Sequence, residues 1–166
     1  MKIRCLSLFY SVLVCFTMTA CSADEAADNG VFRVRVGGSA DYAHGSPVVL
    51  EVGFANETGS PLALLTWGTP LESKMTRDAY DVERNGERLA YTGRRVKRSA
   101  PGPADYVTIK PGESVTAPVD LSLGYDLRQT GAYRVRIRPE VLQFADVSGK
   151  KKTVTVVSEP FDFEIR

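Results

Sequence analysis

Few side chains in this 166-residue chain have the means to do chemistry: one histidine, three cysteines and a dense basic cluster. His44 lies in Asp41-Tyr42-Ala43-His44-Gly45-Ser46-Pro47, a turn-like composition. A zinc hydrolase of the His-Glu-x-x-His type needs two histidines on one helical face, so that class is excluded within this chain. His44 reads as an exposed loop residue. No Gly-x-Ser-x-Gly frames a serine nucleophile. Gly37-Gly38-Ser39 lacks the Gly-Lys-Ser/Thr ending of a phosphate-binding loop. A carboxylate pair of the glycosidase kind stays open on sequence alone, although it would need a large cleft, which is not expected in so small a β domain. The inventory predicts a non-enzymatic module without metal or cofactor.

The cluster is Arg94, Arg95, Lys97 and Arg98, four cations in five positions between Gly93 and Pro101. Such a loop has four destinations: a solvated turn, a nucleic acid, a membrane or an acidic pocket on another protein. Upstream stands Leu64-Leu65-Thr66-Trp67-Gly68-Thr69-Pro70-Leu71-Glu72, which holds the only tryptophan. Trp67 suits the core of a sandwich as well as a contact surface.

Residues 1–20 read as a leader. Lys2 and Arg4 form a positive start, and an apolar run follows that is too short to span a bilayer. The leader ends at Met18-Thr19-Ala20-Cys21 and turns polar at once. Small residues before a cysteine resemble the bacterial lipoprotein signal, which predicts lipidation of Cys21 with residues 21–30 as anchor and tether. An ordinary secretory signal is the alternative. Ser22 after the cysteine predicts sorting to the outer membrane, facing the periplasm. Cleavage removes Lys2 and Arg4, which turns 21 Lys+Arg into 19 against 20 Asp+Glu and the net charge from +1 to −1. A balanced surface argues against nucleic acid, which needs a broad basic face. Cys5 and Cys15 leave with the leader, so no disulfide is expected.

The elements that must position the cluster are short strands. Residues 31–36 alternate valine and arginine, and 47–55 read as a longer strand. The apolar run 62–67 reads as a buried strand. Asn85-Gly86 between 80–84 and 87–91 predicts a hairpin with a type I′ turn. Further strands are expected at 105–109, 114–121, 131–137, 152–157 and 161–165, with a short helical turn over 122–127. This predicts an all-β domain over 31–166: an antiparallel, immunoglobulin-like β-sandwich of about seven to nine strands. Tyr133 after Thr130-Gly131 fits the tyrosine corner of such sandwiches or an ordinary strand tyrosine.

Three stretches together carry a likeness: Leu65 to Glu72; Tyr91-Thr92-Gly93-Arg94-Arg95-Val96-Lys97-Arg98 with Pro101 and Asp105-Tyr106; and Leu121 to Leu127 with Gly131-Ala132-Tyr133. They resemble the propeptide-like N-terminal domain of deuterolysin-type zinc endopeptidases, the peptidyl-Lys (aspzincin) branch. The resemblance implies a β-sandwich that keeps a protease latent, here without the zinc-bearing catalytic domain. Because these proteases favour lysine just after the scissile bond, it further implies Lys97 as pseudosubstrate. Arg94, Arg95 and Arg98 would then steer and line the rim. The expected function is a membrane-anchored inhibitor or chaperone of a secreted zinc endopeptidase. The alternative is a structural envelope lipoprotein that binds another envelope component, with the basic loop merely solvated.

Overall fold

The computed structural model describes residues 30–166. The leader, Cys21 and the tether up to residue 29 lie outside the described residues. The rest is all-β, with nine strands of three or more residues and four of two among the described residues.

The first sheet has the order β12-β1-β3-β8. Its strands are β1 (Phe32–Gly37), β3 (Val49–Asn56), β8 (Ser114–Asp120) and β12 (Val156–Ser158). The predicted alternation holds in β1. Phe32, Val34 and Val36 are buried, while Arg33 faces out and pairs with Glu57 and Glu159, both at 2.9 Å. In β3, Leu50, Val52 and Phe54 turn inward. Each such side chain removed from water contributes about 1.5–3 kcal/mol. Pro118 lies in β8, an edge strand, where its missing N–H costs no ladder bond.

The second sheet joins β2 (Asp41–Tyr42), β13 (Phe161–Ile165), β9 (Gly131–Ile137), β5 (Tyr80–Arg84) and β6 (Glu87–Arg88) in that order. The hairpin between β5 and β6 turns where expected: Asn85 has φ 50° and Gly86 φ 85°, the pair of positive values a type I′ turn demands. Its second strand is shorter than the sequence suggests. The third sheet runs β11 (Lys151–Lys152), β10 (Phe144–Ala145), β4 (Leu62–Leu65), β7 (Tyr106–Ile109). All four residues of β4 are buried. One hydrophobic core joins the three sheets. Phe32 and Phe144 meet edge to face across it, 4.7 Å between ring centres.

The sandwich with an immunoglobulin-type tyrosine corner is present. Tyr133 is buried, and its hydroxyl donates to the Gln129 carbonyl at 2.5 Å. Two details depart from the sequence reading. Pairing is antiparallel except at two edges, where β12 joins β1 and β2 joins β13 in parallel. The run 152–157 is also not one strand. It divides into β11, paired to β10, and β12, paired to β1, because residues 153–155 cross from one sheet to another. The helical turn expected over 122–127 is a single 3-10 turn at Leu121–Leu123, with Asp120 accepting from the Ser122 N–H at 2.9 Å.

Candidate functional site

The Trp67 block leaves the buried strand β4 and turns sharply. Both the N–H and the hydroxyl of Thr69 donate to the Thr66 carbonyl, at 2.9 and 2.7 Å. Gly68 adopts φ 72°, where a side chain would be strained and would also strike Arg77. A 3-10 turn follows at Pro70–Glu72. It returns the Glu72 carboxylate to its own loop, where Oε2 accepts from the Gly68 N–H at 2.8 Å and the Thr76 hydroxyl at 2.9 Å.

The remaining oxygen, Oε1, receives Arg98. The same guanidinium lies 4.9 Å from the centre of the Trp67 ring, a cation–π arrangement. The half-buried indole donates its Nε1–H to Asp105 Oδ1 at 2.9 Å. Asp105 Oδ2 accepts from the Gly102 N–H at 2.8 Å. The Asp105 carbonyl accepts from both the N–H and the hydroxyl of Thr66, each at 2.9 Å. The two blocks singled out in the sequence are therefore in contact. Glu72 and Asp105, whose part in this was not legible, are the groups that join them.

At the other end of the loop, Tyr91 bridges to Tyr125 and donates its hydroxyl to the Arg94 carbonyl at 2.7 Å. Arg95 stands 5.9 Å from the centre of the Tyr91 ring. The Val96 N–H donates to the Thr76 carbonyl at 3.1 Å. Every residue from 94 to 100 is exposed. Arg98 is drawn back into the domain, whereas the side chains of Lys97 and Arg94 have no hydrogen bond or ion pair among the described residues. A groove of about 630 Å³ runs beside the loop, lined by Glu72, Met75, Thr76, Arg94, Val96 and Leu123 among others. Leu123 is 66% exposed and Val96 43%, so its walls are partly apolar.

His44 is exposed. Its Nε2 lies 2.7 Å from the Arg128 carbonyl, and its backbone N–H bonds Arg166. Among the described residues no group of three or more His, Cys, Asp or Glu is placed to hold a metal.

No protein-family profile matches the chain. A segment is 35% identical over 89 residues to an extracellular protease of Aeromonas hydrophila; the match covers 53% of this chain and 25% of that protein. The chain thus spans about a quarter of the relative it matches. Among solved structures, the CARDB domain of a Pyrococcus furiosus protein overlays with a TM-score of 0.42 at 14% identity, covering 82% of this chain and 89% of that one. An alkylpurine DNA glycosylase of Pseudomonas fluorescens gives 0.38 at 11%, covering 80% and 30%. Overlays this loose carry no argument about function. The chain is an all-β sandwich domain with partial sequence homology to an extracellular protease.

Proposed function

We propose that this protein is a non-catalytic binding module, held to the cell envelope by lipid on Cys21, that inhibits or chaperones a secreted, lysine-directed zinc endopeptidase. The observation that carries the reading is the division of labour in the loop: Arg98 is consumed by Glu72 and Trp67, while its neighbour Lys97 is exposed and has no acceptor among the described residues. A pocket selective for lysine must offer acidic groups to offset desolvation of the ammonium. A loop fixed on both sides of Lys97 would enter it with less loss of entropy than a free peptide. Arg94 and Arg95 raise the local positive potential and speed encounter more than they tighten the complex. The partial likeness to an extracellular protease supports a partner of that class.

The test is to titrate the protein against a lysine-specific zinc endopeptidase and follow cleavage of a lysine peptide. Dose-dependent slowing is expected, and undiminished cleavage would refute the reading. A membrane pull-down then distinguishes the alternative. Partners that persist after Arg94, Arg95 and Lys97 are all neutralised would favour a structural envelope lipoprotein.

A further inference from the structure

We infer that the basic loop is a processing site for an endopeptidase directed at basic residues, and that the cut leaves a folded two-chain domain with both new ends clipped in place. The inference concerns the same loop as the proposed function. Its test needs no zinc endopeptidase, so the two can fail separately.

Proteases bind their substrates as extended, accessible backbone. Residues 94–100 meet that requirement. All are exposed and lie outside any strand or helix. Among the described residues their backbone makes only the bonds of the Arg94 carbonyl to Tyr91 and the Val96 N–H to Thr76. Four of the other lysines are less suited. Lys150 is curled into a tight turn, its N–H on Asp146 Oδ1 and its carbonyl on the Asp146 N–H, and Lys151 and Lys152 pair with β10. Lys110 precedes Pro111 at a turn.

Hydrolysis between Arg94 and Ser99 adds one water across a peptide bond and yields a carboxylate and an ammonium; no other reactant is needed. It separates β1–β6 from β7–β13. The topology prevents the halves from parting, because each of the three sheets mixes strands of both: β3 pairs β8, β4 pairs β7, and β5 pairs β9. The two pieces also share one core. Parting them would require breaking that core. The new ends are held as well. A cut at Lys97 leaves Val96 on Thr76 upstream and Arg98 on Glu72 and Trp67 downstream. Such a site retains its cleaved product.

The experiment is limited proteolysis of the intact protein with a trace of a lysine-specific serine endopeptidase. Mass spectrometry should place the first cut at Lys97. The two fragments should appear separately on a denaturing gel, co-elute as one species on native size exclusion, and melt in a single transition. Arg98→Gln, which removes the downstream clip but no cleavable lysine, should speed the first cut several-fold. A first cut at Lys74 or at 150–152, fragments that part on native elution, or an unchanged rate in Arg98→Gln would each overturn the inference.

Discussion

Asn56 is a polar side chain with no exposed surface. Its amide donates to the carbonyls of Ser60 and Ile109, at 2.9 and 2.8 Å, and its oxygen accepts from the Thr58 N–H at 3.0 Å and the Thr58 hydroxyl at 2.6 Å. Truncation would leave several buried groups unpaired at once. Asn56→Ala should therefore cost about 3 kcal/mol, read as a lowered urea midpoint. Tyr80 is the opposite case, since its hydroxyl is buried and has no partner among the described residues. Tyr80→Phe removes an unsatisfied group and should leave stability unchanged or raise it, within about 1 kcal/mol. Tyr133→Phe, which deletes the bond to Gln129, should instead cost about 1 kcal/mol. If the two phenylalanine variants behaved alike, this account of the tyrosines would be wrong.

The loops at Trp67 and at the basic cluster make one element held by two carboxylates. Asp105→Ala strips the indole and the Gly102 N–H of their acceptor and should cost about 1–3 kcal/mol. Trp67 is the only tryptophan, so its fluorescence reports this directly, with a shift to the red expected in the variant. Much of the element layout was legible. Alternation marked β1, and Asn85-Gly86 marked its hairpin, because a local rule governs each. The two-residue strands β2 and β10 left no pattern, since two residues are too few to alternate. The break in 152–157 and both parallel edges depend on partners far along the chain. The joining of Arg98 to Glu72, 26 positions apart, was hidden for the same reason. The resemblance singled out Lys97 and grouped Arg98 with the rim; that Arg98 is instead bound to Glu72 and Trp67 within the domain emerged only on folding.

Across the whole molecule, stability is tied to alkaline pH through four tyrosines, three buried and Tyr91 half-buried. Burial raises the phenols of Tyr80, Tyr91, Tyr125 and Tyr133, and for Tyr125 the neighbouring Asp78 adds to it. At high pH the folded state then keeps protons that the unfolded chain, with phenols near 10, has lost. Stability should fall as pH rises above about 10 and continue to fall toward the folded values. A flat melting temperature from pH 9 to 11 would contradict this. At the acid end, Arg128 holds Asp126 down to about 2, and Arg33 lowers Glu57. These pairs are exposed. Their support is full above the ordinary carboxylate range and lost only as pH falls through the lowered values, with little effect expected.

The central claim is that Lys97, rather than the charge of its loop, engages the partner. The direct measurement compares inhibition of a lysine-specific zinc endopeptidase by the unaltered protein, Lys97→Arg and Arg95→Ala. Arginine keeps the charge but not the compact ammonium that a lysine pocket fits. The account predicts that Lys97→Arg weakens inhibition by at least about tenfold, equivalent to about 1.4 kcal/mol, while Arg95→Ala changes it far less. Equal inhibition by the unaltered protein and Lys97→Arg, or a larger loss in Arg95→Ala, would contradict it.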